Sequence, residues 1–139
     1  MRPVTKISLF GLRLGAIALA VYWLAIFAGT HLPKPPDVVP LMNDKVKHFT
    51  AYFGLGLLLC YVSQSPRLVK RFSIIAFIGL AYAVVDELTQ MLVPNRFADI
   101  ADFAADALGI FIAISVYAIV RRLFRDRLYM NSRIARAIK

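Results

Sequence analysis

The chain has 139 residues, 60% of them hydrophobic, with a mean hydropathy of +0.67 and a formal net charge of +9. A soluble domain is about half apolar, so the composition points to a membrane protein, and four spans in 139 residues would leave almost no length for a soluble domain. The basic surplus does not imply nucleic acid, because no recognised nucleic-acid-binding motif accompanies it.

Four apolar stretches follow one another at about 7–29, 49–63, 72–93 and 101–120. A helix needs ~20 mostly apolar residues to cross the hydrocarbon layer. The fold class expected is therefore all-α: an integral membrane four-helix bundle forming one domain over 1–139. The first stretch, Ile7–Gly29, exceeds the apolar core of a signal peptide, and no clean Ala-x-Ala site follows, so it is expected to be retained as a span. Arg13 lies near enough to its start to snorkel to the surface.

Between the first two stretches, Pro33, Pro35, Pro36 and Pro40 favour an extended, stiff strap. Asn43 or Asp44 then suits the N-cap of the second helix. Cys60 has no second cysteine to pair with and is read as a small packing residue. Ser65-Pro66 closes that helix. The third stretch ends at Pro94-Asn95, and about five residues later Asp99 can cap the fourth. A connection that short makes the third and fourth helices antiparallel neighbours.

Small residues at helical spacing form two ridges, Gly11-Gly15-Ala18 and Ala105-Gly109-Ala113, which let helix backbones approach in lipid. They serve packing within the chain first, and a homodimer is the alternative. The tail 121–139 interleaves Leu123, Phe124, Leu128, Met130, Ile134 and Ile138 with basic residues. It reads as an interfacial helix on anionic lipid, or as a frayed basic tail.

Orientation follows from the basic residues. With the N-terminus inside, inner segments hold Arg2, Lys6, Arg13, Arg67, Lys70 and Arg71. The tail adds Arg121, Arg122, Arg125, Arg127, Arg133, Arg136 and Lys139. Only Lys34, Lys45, Lys47 and Arg96 fall outside. That bias obeys the positive-inside rule. Both termini are expected in the cytoplasm, in a multi-pass protein of the bacterial cytoplasmic membrane.

The informative residues are the acids within the spans. Asp86 and Glu87 lie in the third and Asp106 in the fourth, with Asp102 near its start. Ionisable groups there cost a few kcal/mol or more, so their default reading is functional. At 1.5 Å rise per residue, Asp86 and Asp106 each lie ~21 Å from the inner boundary of their span, hence at matching depth near the outer face. Asp86 and Gln90 share a helix face at i, i+4, as do Asp102 and Asp106, and as do Asp44, His48 and Tyr52 on the second helix. Lys45 flanks this last stripe, and Arg96 sits in the loop above. Three helices should converge on one outward-facing polar patch. Each member has a plainer use: Asp44 and Asp99 as caps, Asp102 as a partner of Arg96, Tyr52 as an interfacial aromatic.

These residues resemble the motif set of the VanZ-like family of small bacterial membrane proteins. The matching segments are Asp44-Lys45-x-x-His48-Phe49 with Tyr52, Asp86-Glu87-x-x-Gln90, Pro94-x-Arg96, and Asp102 with Asp106-x-x-Gly109. Thr89 stands where many members carry histidine, Asn95 where glycine is common, and Asp106 where asparagine is frequent. Asparagine at 95 is acceptable because it too adopts positive φ. The resemblance implies a cell-envelope process at the outer face. The founding member is associated with resistance to teicoplanin, a lipid-bearing glycopeptide, and no agreed catalytic activity attaches to the family.

Three functions are consistent with the patch. The first is binding or modulation of an envelope lipid, wall precursor, glycopeptide or partner protein, with Lys45, Tyr52, Gln90, Arg96, Asp102 and Asp106 forming the site. The second is an intramembrane enzyme on a lipid headgroup or lipid-linked glycan, with Asp86 or Glu87 as general base and His48 as acid or shuttle. The third is proton-coupled transport through Asp86 or Glu87. No cofactor is expected. A divalent cation would take Asp86, Glu87, Asp102 and Asp106, since hard cations favour carboxylate oxygen, although no tight metal signature is present. Membrane lipids are the expected partners.

Overall fold

A computed structural model describes residues 8–9, 12–31, 43–63 and 65–137, with side chains over 13–31, 43–63 and 65–124. The described residues form four helices: α1 (Leu14–Thr30), α2 (Asp44–Val62), α3 (Leu68–Gln90) and α4 (Ile100–Ala137). The proline-rich strap lies outside the described residues.

The boundaries differ from the sequence expectation at several points. The first apolar stretch enters its helix at Leu14. Ser8–Leu9 (β1) pairs antiparallel with Leu12–Arg13 (β2), Ser8 opposite Arg13, and helix begins at Leu14. A short apolar run suits either conformation, so composition alone does not separate them. The second helix starts where the expected cap puts it, at Asp44, with Asn43 accepting a bond from the Lys45 amide at 3.0 Å. The third starts at Leu68 and stops at Gln90 rather than Val93. The fourth does not end near 120: one helix runs from Ile100 to Ala137, so most of the basic tail continues the same helix. Its N-cap is Asp99, whose Oδ1 accepts from the Ala101 amide at 2.8 Å.

Among the described residues, two segments are long and apolar enough to cross a membrane, Leu68–Gln90 and Ile100–Phe124. Helix α1 is apolar but has 17 residues, and α2 carries a charged first turn.

The most extensive helix contact is between α2 and α4, which are not consecutive. They run parallel, register set by glycine. A Cβ on Gly109 would lie 2.6 Å from the Phe49 carbonyl oxygen and 2.8 Å from the Phe53 amide nitrogen. One on Gly56 would lie 2.7 Å from the Ala113 Cβ. The Ala105-Gly109-Ala113 ridge is therefore spent inside the chain. Gly15 packs on Tyr61 and Val62 of α2; Gly11 lies outside the described residues.

The interior is divided by polarity. Leu55, Leu59, Cys60, Ile75, Ala83, Ile110 and Ala113 form the apolar middle. At the end where α2 and α4 begin, His48, Asp86, Glu87, Gln90, Asp102 and Asp106 are all buried. At the other end Arg71 is buried, donating to the Cys60 carbonyl and to Tyr117 Oη, with its guanidinium 5.1 Å from the Tyr117 ring centre. Large apolar side chains such as Leu24, Phe77, Leu88 and Phe111 point outward.

Candidate functional site

The polar end is built from all four helices. Helix α3 supplies its centre, because Tyr82, Asp86 and Gln90 recur every four residues on one inward face. Asp86 is completely buried and fully met: Thr30 of α1 donates to its Oδ1 at 2.9 Å and Gln90 Nε2 donates to its Oδ2 at 2.9 Å. Arg96 Nη1 donates to Gln90 Oε1 at 3.2 Å. A hydrogen-bonded series thus runs from the α3–α4 loop through Gln90 and Asp86 into α1. The loop makes its turn at Asn95, with φ of 63°, the one non-glycine residue at positive φ among those described. Asparagine does here what the resemblance to a glycine position called for.

Glu87 points the other way around α3, toward α2 and α4. Its Oε2 accepts from the Asp99 amide at 2.9 Å, while Oε1 lies 3.9 Å from His48 Nδ1. His48, from the second turn of α2, has three carboxylates about it. Nδ1 lies 3.1 Å from Asp106 Oδ1, and Nε2 lies 3.9 Å from Asp102 Oδ2. Lys45 closes the top, with Nζ 2.9 Å from Asp99 and 3.0 Å from Asp102. This ammonium is on the first turn of α2, outside its apolar part. The hydrogen bonds to Asp99 first, then Asp102, raise its pKa above the ordinary lysine value and hold it charged.

One turn toward the middle lies an aromatic layer. Tyr52 and Tyr82 stack with ring centres 5.8 Å apart, and Trp23 meets Tyr82 edge-on at 5.0 Å. The Tyr52 hydroxyl is buried without a hydrogen-bond partner among the described residues.

A cavity of about 480 Å³ opens between α1 and α2 at this end. Tyr22, Ala25, Ile26, Gly29 and Ala51 form its flanks; Thr30, His48 and Tyr52 lie toward the carboxylates; Asp44, Lys47 and Arg96 are the charged lining. Tyr22 also donates to the Ala51 carbonyl at 3.1 Å, linking the two walls.

The polar residues marked in the sequence are thus in one place, with a different division of labour. His48, Tyr52 and Arg96 line the cavity. Lys45 does not: it ties α2 to α4, and Lys47, one turn from Asp44, takes the lining position instead. Gln90, Asp102 and Asp106 take partners within the bundle. Asp102 pairs with Lys45, and Arg96 donates to Gln90. The four-carboxylate cation set divides in the same way. Asp86 is held by Thr30 and Gln90, and Glu87 and Asp106 group with His48 rather than with Asp86 and Asp102.

Two contributors had no signal in the pattern of acids. Thr30 and His31 end α1, a helix with no acidic residue, yet Thr30 bonds Asp86 and His31 Nε2 lies 2.9 Å from Thr89 Oγ1. His31 is steadied by stacking on Phe27 at 3.9 Å between ring centres. The only hint was position, two polar residues closing an apolar helix. Tyr82 was legible as the next i−4 member of the Asp86 stripe.

No curated protein and no solved structure matches the chain significantly. The family model described as VanZ/LLP1 matches residues 5–121, well over half of the chain. With its Asp44–His48, Asp86–Gln90 and Asp102–Gly109 segments gathered into one polar end, this chain belongs to the VanZ/LLP1 family.

Proposed function

We propose that the protein is a multi-pass component of the bacterial cytoplasmic membrane that binds an anionic amphiphile of the cell envelope, a lipid or lipid-linked wall precursor, at the outer face. The observation that carries this reading is the cavity between α1 and α2, which has apolar flanks and Lys47, Arg96 and His48 in its lining. An amphiphile with a phosphate-bearing head matches that division. The cations take the head by charge-assisted hydrogen bonds, and Ala25, Ile26 and Ala51 meet the apolar portion.

Membrane placement is supported by the inverted polarity of the bundle. Buried aspartate, glutamate and histidine face inward while Leu24, Phe77 and Phe111 face outward, the arrangement that lipid favours and water does not. Four spans with both termini inside accord with the distribution of lysine and arginine. Sequestering a wall precursor or masking a lipid would connect this activity to resistance against teicoplanin-type glycopeptides.

A second reading, an enzyme on a lipid-linked substrate, is favoured by one contact. His48 lines the cavity and holds Asp106 at 3.1 Å, as a general base with its orienting carboxylate would.

The test is direct. Full-length protein in nanodiscs is offered labelled lipid II, undecaprenyl phosphate, phosphatidylglycerol and phosphatidylcholine, with binding and product formation measured together. Saturable binding of an anionic amphiphile, weakened by Lys47→Ala and Arg96→Ala, is expected. Binding no better than phosphatidylcholine would refute the proposal, and turnover lost in His48→Ala would move it to the enzyme.

A further inference from the structure

Three side chains from three helices close on one point. His48 of α2, Glu87 of α3 and Asp106 of α4 each offer one ligand atom, and these atoms lie within 4.8 Å of one another. His48 Nδ1 is 3.1 Å from Asp106 Oδ1 and 3.9 Å from Glu87 Oε1. All three residues are more than nine-tenths buried, with 4%, 6% and 0% exposure. Two oxygens of the group, Glu87 Oε1 and Asp106 Oδ2, have no hydrogen-bond partner among the described residues.

The surrounding carboxylates make those two oxygens stand out. Asp86 has Thr30 and Gln90, Asp102 has Lys45, and the other oxygen of Glu87 has the Asp99 amide. Buried polar atoms are nearly always satisfied, so a pair left open beside an imidazole calls for a group from outside the chain.

We infer that His48, Glu87 and Asp106 form a binding site for a divalent first-row transition-metal cation, with Zn²⁺ and Mn²⁺ the ions that fit. The donor set is one imidazole nitrogen and two carboxylate oxygens, which suits these borderline and hard cations and not a thiophilic one. Bonds of ~2.0–2.2 Å at tetrahedral or octahedral angles set neighbouring ligand atoms roughly 3.0–3.6 Å apart. The two nitrogen–oxygen separations, 3.1 and 3.9 Å, come close to that span before any ion draws them in. Charge agrees as well: a ligating imidazole is neutral, and the two carboxylates are then balanced by the double positive charge of the ion. With Nδ1 as ligand, Nε2 remains directed at Asp102, the outer carboxylate that ligating histidines commonly have. The site does not depend on the amphiphile reading, because its ligands are protein groups and only His48 also lines the cavity.

The experiment uses full-length protein in detergent with no added lipid, stripped by a chelator and then titrated with Zn²⁺, Mn²⁺ or Mg²⁺. Expected is one tightly held Zn²⁺ or Mn²⁺ per chain after desalting, with a thermal midpoint raised by a few degrees and Mg²⁺ much weaker. The isosteric Glu87→Gln and Asp106→Asn variants should each weaken uptake by tenfold or more, and Asp86→Asn should retain it. Should a variant fail to fold, wild-type protein labelled with ¹⁵N-histidine and loaded with Mn²⁺ decides the matter, through nitrogen hyperfine coupling in its electron spin-echo spectrum. Stoichiometric metal absent from wild type, metal without nitrogen coupling, or equal loss in Asp86→Asn overturns the site. None of these outcomes touches amphiphile binding, which is measured separately in nanodiscs.

Discussion

Glu87 accepts a hydrogen bond from the backbone amide of Asp99 at 2.9 Å, so a side chain inside α3 anchors the residue that caps α4. One oxygen of this carboxylate is structural and the other faces His48. The same economy runs through the polar end: each buried acid joins two helices and leaves little surface for solvent. Variants there must be judged on stability and on ligand binding together.

Thr30→Val keeps the shape of the side chain and removes the hydroxyl that donates to Asp86. Because Asp86 is completely buried, the lost bond should cost about 1–3 kcal/mol. Thermal unfolding in detergent measures this, and Thr30→Ser should restore most of it. An unchanged midpoint would mean that α1 does not hold Asp86.

Gly109→Ala places a methyl group against backbone atoms of Phe49 and Phe53, which cannot turn aside as a side chain can. Overpacking of this kind costs about 1–3 kcal/mol. Gly29→Ala is the control, since a Cβ there meets nothing within 4 Å, and removing a helical glycine should be neutral or favourable by about 0.5–1 kcal/mol. Equal stability of the two variants would contradict the close α2–α4 approach.

Lys45→Ala and Lys47→Ala, two residues apart, should separate cleanly. The first strips Asp99 and Asp102 of their cation and should lower the unfolding midpoint with little effect on amphiphile affinity. The second removes a cation from the cavity lining and should weaken binding about tenfold or more, at unchanged stability. The reverse pattern would return Lys45 to the binding site.

Reporter fusions at Arg67 and Lys139 should report cytoplasm, and one at Pro36 the outside. The lysine and arginine bias motivates this outcome. An exported C-terminus would reverse the face on which the polar end lies, while leaving its internal geometry intact.

The sequence alone determined the family, the helical character and the acids and their i, i+4 companions at the polar end. Composition and spacing are local properties, and helical periodicity turns them directly into faces: Asp86 with Gln90, Asp102 with Asp106, Asp44 with His48 and Tyr52. The chemistry of Asn95 followed as well, because positive φ is a property of the residue and its turn. The tertiary structure alone decided who pairs with whom. Nothing in α1's composition reveals that Thr30 meets Asp86 across 56 positions, or that Lys45 turns to α4 while Lys47 lines the cavity. Those choices depend on how helices far apart in the chain are set side by side. That setting comes from the parallel docking of α2 on α4, where Gly109 and Gly56 let two backbones touch and so bring His48, Glu87 and Asp106 to one point.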